Sequence, residues 1–209
     1  MSPTTQTLNT LQLHYSTCQK CPSLCQSRTQ VVFGNGNPNA KILFIGEAPG
    51  ATEDKQGIPF CGASGKILQQ LLATINLNRE DIFITNTILC HPENNRNPEK
   101  DEINNCKERL DQLILIMQPK VIVTIGNFAT NRILRKTGIT QLRGKIHPTI
   151  INNQEIKVIP IIHPANYLYN GRNPEMFKQM AADFQVISNI IQETQQPKQS
   201  KTQKSLSEF

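Results

Sequence analysis

Six cysteines, at positions 18, 21, 25, 61, 90 and 106, are the densest chemical signal in this chain of 209 residues. Cys18 and Cys21 form a C-x2-C pair in "CQKC", and Cys90 and Cys106 form a second, wider pair. Disulfide scaffolds are short, Cys-dense secreted chains, so free thiols are the expectation here. Two thiol pairs from distant segments suggest one four-thiolate site. Zinc and a [4Fe-4S] cluster both accept four Cys ligands, and spacing alone does not choose between them. Cys25 extends the first pair to C-x2-C-x3-C; Cys18 and Cys21 are the preferred ligands. Cys25 and Cys61 read as unligated thiols, which behave as small apolar residues.

A second group of residues could do chemistry at the ends of apolar runs. "KILFI" opens into "GEAPGATEDKQGIPF", a loop with glycines at 46 and 50, an acid at 47 and an aromatic at 60. Three further runs end in Thr85-Asn86, Gly126-Asn127 and His163-Pro164. A carboxylate, a carboxamide and an imidazole gathered at one place would read and polarise a small polar ligand.

The elements that would position them are βα units. "KILFIGEA", "DIFITNTIL", "KVIVTIG" and "IKVIPIIHP" are continuously apolar, as strands buried on both faces are. Helical patterns separate them. "SGKILQQLLATINL" puts Ile67, Leu68, Leu71, Leu72 and Ile75 on one face. "NPEKDEINNCKERLDQLILIM" and "NPEMFKQMAADFQVISNII" each open with an Asn cap and a first-turn Pro. Alternating strands and helices predict an α/β domain with a parallel sheet covered on both sides. Ligands of such sheets bind beyond the carboxyl ends of the strands, where the four polar ends would lie.

Composition bounds the rest. The chain is long enough for one domain with a full core. Residues 1–191 are expected to form it, and 192–209, rich in Gln, Lys, Ser and Thr, to form a disordered polar tail. Net charge is +6, of which +5 belongs to residues 1–191. A basic domain suits phosphate-rich partners. No apolar run approaches the roughly 20 residues of a membrane helix, and the N-terminus shows no secretion signal. A cytoplasmic protein without a membrane partner is the expectation.

The segments "RTQVVFGNGNPNAKILFIGEAPGATEDKQGIPFCGASGKIL", "DIFITNTILCHPENNRNPEKDEINNC", "VIVTIG", "LRGK" and "VIPIIHPANYL" together resemble the family 4 uracil-DNA glycosylases, which carry an iron–sulfur cluster. The resemblance spans about Cys18 to Ala182. It implies a doubly wound α/β domain with a central four-stranded parallel sheet, a monomer, and DNA containing uracil, in single or double strands, as substrate. Implied cluster ligands are Cys18, Cys21, Cys90 and Cys106, holding [4Fe-4S]. Implied catalytic residues are Glu47 and His163. Gly46, Phe60, Asn86 and His163 would bind the base, with Phe60 stacking on it and Asn86 reading it. Arg143 and Lys145 in "LRGK" are expected to meet phosphates, and Tyr167 or Leu168 to wedge into the duplex. The chain departs from the family with Cys61 where Val is usual and with a longer "HPANYLYNGRNP".

Overall fold

The computed structural model describes residues 1–195. In chain order the elements are α1 (Pro3–Ser16), α2 (Pro22–Ser27), β1 (Asn35–Gly36), β2 (Ile42–Gly46), α3 (Ala51–Gln56), α4 (Ala63–Ala73), β3 (Phe83–Asn86), α5 (Lys100–Asn105), α6 (Lys107–Met117), β4 (Val121–Ile125), α7 (Gly126–Leu134), α8 (Ile139–Leu142), β5 (His147–Ile151), β6 (Gln154–Ile161), α9 (Ala165–Tyr169) and α10 (Pro174–Gln195).

Sheet order is β1-β3-β2-β4-β6-β5. The inner four strands, β3-β2-β4-β6, run parallel. They are the four that the apolar runs predict. The edge strands β1 and β5 are antiparallel additions. Side chains alternate between two cores. Leu43 and Ile45 of β2 meet α1, α6 and α7 residues such as Leu11, Leu110 and Ala129. Ile42 and Phe44 meet Leu68 and Leu71 of α4 and Phe184 of α10 on the opposite face. Helices on both faces explain why no polar alternation is visible in the parallel strands.

Strand order reverses between β2 and β4, as the chain passes from β3 on one side of β2 to β4 on the other. Crevices form at such reversals, beyond the carboxyl ends of the strands. Gly46 closes β2 and Asn86 closes β3, paired in register with each other.

Three local readings change. The segment 97–117 is two helices, with Cys106 at their junction (φ −89°, ψ −4°). Its first cap is Glu99, in a reciprocal capping box with Glu102, and not Asn97. Of the tail expected from Gln192, residues 192–195 continue α10, and the rest lies outside the described residues. Asn173 behaves as expected, its Oδ1 accepting from the Glu175 N–H at 2.9 Å.

Candidate active site

A cavity of about 400 Å³ opens beyond the strand ends, bordered by Glu47, Phe60, Asn86 and His163 among others. Three of the four polar strand ends therefore meet. Asn127 does not: its Oδ1 caps α8 by accepting from the Ile139 N–H at 3.0 Å.

Asn86 is buried, 1% exposed. Its Oδ1 finds no hydrogen-bond donor among the described residues. Buried polar atoms are nearly always paired, so an orphan acceptor on a cavity wall marks a position kept for a ligand donor. Gly46 keeps that wall clear. A Cβ placed there would meet Asn86 Oδ1 and stand 2.7 Å from Phe60 Cε2.

Phe60 adopts φ 52°, a left-handed conformation that a bulky residue rarely takes. The surroundings hold it there. Arg79, in a short 3-10 turn, donates from Nη1 to the Phe60 carbonyl (3.1 Å) and from Nη2 to the Pro59 carbonyl (2.6 Å). Gly65 of α4 allows the Phe60 carbonyl to approach closely, since any Cβ there would overlap it. The phenyl ring lies stacked against the His163 imidazole, centroids 5.7 Å apart and planes 29° apart.

His163 Nδ1 lies 3.1 Å from the Ala165 backbone N–H, which donates to it. That bond fixes the tautomer: the ring proton sits on Nε2. Burial lowers the imidazole pKa to about 4, so the ring is neutral near pH 7 and offers one N–H. Burial also raises the Glu47 carboxyl above its ordinary value. The Glu47 backbone is pinned, its carbonyl accepting from the Ile88 N–H at 3.1 Å.

Several wall residues were silent in the sequence. Glu53 also borders the cavity, with Oε1 accepting from the Gly62 N–H at 2.9 Å. In "ATEDK" it reads as an ordinary acid in a helix's first turn, and only its position six residues after Glu47 hints otherwise. Tyr169, 86% exposed, stands on the cavity border. Tyr167 instead packs on Phe177 with ring centroids 5.5 Å apart, and Leu168 is partly buried against the core. Arg143 is committed to α10, with Nε to Asp183 Oδ2 at 2.9 Å and Nη2 to the Gln179 carbonyl at 2.7 Å. Lys145 is exposed. Beside the main cavity, a second one is bordered by Lys66, Arg172 and Cys61.

The cysteines sit on the other side of the β3 end. Cys21, Cys90 and Cys106 share one buried cluster, and Cys18 packs against it. Among the described residues no three His, Cys, Asp or Glu side chains are placed to hold a single metal ion. Ligands at the corners of a four-iron cluster stand farther apart than those of one ion, and four thiols around one buried region suit that larger group. Donors are aimed at the sulfurs: Arg28 Nη1 at Cys90 Sγ (3.0 Å) and Asn105 Nδ2 at Cys21 Sγ (3.4 Å). Hydrogen bonds to ligand sulfurs are a common feature of iron–sulfur sites. Burial pushes the Cys90 thiol up to about 11, against the pull of Arg28; a coordinating thiol gives up its proton to the metal. Cys25 makes a different contact, donating to the Cys18 carbonyl at 3.5 Å. His91, next to Cys90, ties this region to the loop after β2 through Nδ1 and the Pro49 carbonyl, 2.9 Å apart.

Comparison with known proteins agrees with this geometry. The family model described as uracil DNA glycosylase superfamily matches residues 33–185. The type-4 uracil-DNA glycosylase of Sulfurisphaera tokodaii is 46% identical over 179 residues, covering 83% of this chain and 80% of that protein. The corresponding protein of Saccharolobus solfataricus is 42% identical, covering 83% and 82%, and that of Archaeoglobus fulgidus 38% identical, covering 88% and 94%. With the parallel sheet, the orphan carboxamide and these likenesses together, the chain belongs to the uracil-DNA glycosylase superfamily, among its type-4 members.

Proposed function

We propose that the protein hydrolyses the N-glycosidic bond of a uracil extruded from DNA, releasing the base and leaving an abasic site for base excision repair. The observation that carries this reading is the Asn86 carboxamide, buried with an unpaired Oδ1 at the cavity wall. Uracil presents an N3–H donor beside the O4 acceptor. Oδ1 accepts from N3–H while Nδ2 donates to O4. Cytosine presents the reverse pattern, which would leave buried groups unpaired at about 1–3 kcal/mol each.

Extruding the nucleotide costs a few kcal/mol. Stacking on Phe60 offsets roughly 1–3 kcal/mol of this. Tyr169, exposed on the cavity border, would fill the gap left in the duplex. As the bond to the sugar breaks, negative charge builds on uracil O2 and positive charge on C1′. The Nε2–H of neutral His163, on the cavity border, would stabilise the anion of the departing base, as an oxyanion donor does. The Glu47 carboxylate has no hydrogen-bond partner among the described residues. It is free to orient the water that adds to C1′ and to oppose the sugar's positive charge. Lys145, Lys66 and Arg172 present cations for the flanking phosphates. Arg143 acts at one remove, by holding the α8–β5 turn against α10.

Cys18, Cys21, Cys90 and Cys106 hold a [4Fe-4S] cluster in this reading. When bound, it supplies metal–thiolate bonds that tie the N-terminal segment to the loop after β3 and to the start of α6.

An oligonucleotide with one uracil, incubated with iron-loaded protein and cleaved by alkali at abasic sites, tests the proposal. Uracil release by wild type, with a large drop for Glu47→Ala and His163→Ala at equal iron content, is the expected result. Absence of release from both single- and double-stranded substrates by iron-loaded wild type ends the reading.

A further inference from the structure

Arg109 of α6 is the largest fully buried side chain among the described residues, 0% exposed; it follows Cys106 by three residues and reaches the end of β3. Nη1 donates to Thr85 Oγ1 at 3.0 Å. Nη2 donates to the carbonyls of Asn86 (2.6 Å) and Thr87 (3.2 Å). Nε is buried without an acceptor. Among the described residues no carboxylate forms an ion pair with Arg109. Neighbouring acids are engaged elsewhere: Glu108 with Lys20 at the surface, and Asp111 with Arg132. The groups near enough to act on its charge are the Cys106 and Cys90 thiols, Tyr15 and the like-charged Arg132.

A guanidinium does not shed its proton in a protein. A buried charge without a counter-charge is strongly destabilising. Among the described residues no carboxylate supplies one. Thiolates that ligate a cluster would, because the assembled centre carries net negative charge and Cys106 begins the turn that leads to Arg109.

We propose that Arg109 is a positioning residue: its counter-charge is the centre held by Cys18, Cys21, Cys90 and Cys106, and its Nη2 holds the Asn86 carbonyl, so that cluster occupancy sets the alignment of the carboxamide that reads uracil. The inference rests on the cluster reading given above. It makes the cluster a condition of base reading, through one side chain, and not only a clamp on the N-terminus.

The test compares the iron-loaded full chain with Arg109→Met and Arg109→Lys variants. Each is measured for iron and acid-labile sulfide, for the reduction potential of the cluster, and for uracil release. Arg109→Met removes the buried cation at nearly constant volume. Its potential is expected to move to more negative values, and kcat/KM to fall about ten- to hundredfold, the scale for losing hydrogen bonds from a charged donor. Arg109→Lys returns the charge without the planar fork. It is expected to keep a potential close to wild type while recovering only part of the rate. An iron-loaded Arg109→Met protein with wild-type potential and wild-type uracil release overturns the proposal, since that is how a space-filling side chain behaves. Should Arg109→Met fail to accumulate, Arg109→Lys decides alone: an unchanged rate overturns the proposal, and a reduced rate at wild-type potential supports it. Wild-type protein prepared without oxygen that contains neither iron nor sulfide overturns the cluster reading as well, and is distinguished by that composition. Iron-loaded wild type that releases no uracil strikes instead at the proposed activity.

Discussion

Gly46→Ala is the smallest change that should close the site. Its new Cβ would lie 2.7 and 2.8 Å from Phe60 Cε2 and Cζ, and would also collide with Asn86 Oδ1. Comfortable carbon–carbon contact begins at about 3.5 Å, so the ring must retreat by nearly 1 Å. Phe60 has little freedom to do so, because Arg79 holds its carbonyl and His163 lies against its ring. Overpacking of this kind costs about 1–3 kcal/mol of stability, which a domain of this size survives. Misplacing a substrate-holding group by 1 Å costs about a hundredfold in rate. The expected phenotype is therefore a folded, iron-loaded protein with kcat/KM for uracil release down about a hundredfold. Single-turnover cleavage of a uracil-containing single strand, beside a thermal melt and an iron determination, measures all three quantities. Activity within about threefold of wild type at full iron content would mean that the base does not rest on the Gly46–Phe60–Asn86 surface.

Other perturbations separate the remaining roles. Asn86→Asp keeps an acceptor for N3–H but loses the donor to O4; uracil release should fall about tenfold or more, and the preference for uracil over cytosine in paired oligonucleotides should shrink. Arg79→Met strips the Pro59 and Phe60 carbonyls of the donor they share, and uracil release should drop about tenfold with the purified protein still folded by circular dichroism. The His163 imidazole titrates near 4 in the folded chain against 6.5 ordinarily. The unfolded chain therefore binds more protons between those values, so the stability that the neutral ring contributes is complete above about pH 6.5 and is lost as pH falls through 4. Melting temperatures at pH 7 and pH 4.5 should differ more for wild type than for His163→Gln; equal differences would count against a buried neutral ring.

The parallel sheet was legible because all four inner strands are buried on both faces, which leaves long apolar runs. The edges were not. β1 has two residues, too few for any period to show. β5 alternates, carries Pro148 and exposes Ile150, which weakens every strand signal. A cue did exist in Asn152-Asn153, which connect β5 to β6 with φ of 52° and 60°, the pair of left-handed residues that a tight hairpin demands. At the site, Glu47, Asn86 and His163 were readable as polar ends of apolar runs. Arg79 and Arg109 were not, since a basic residue in a helical pattern looks solvated until the packing shows what its guanidinium reaches. Arg143 shows the reverse: a cation in a Gly-turn suggests phosphate, and its pairing with Asp183, 40 residues away, had no signal in the sequence.

The separation of the thiol pairs along the chain has a consequence for synthesis. Cys18 and Cys21 leave the ribosome some 85 residues before Cys106, which at 5–20 residues per second is roughly 4–17 s. Until Cys90 is made the nascent chain carries half of its proposed iron site, and the site stays incomplete until Cys106 follows. Iron delivery in this reading is post-translational with respect to residue 106, and a cell that supplied the metal too early would meet a bidentate thiol trap instead of a finished nest.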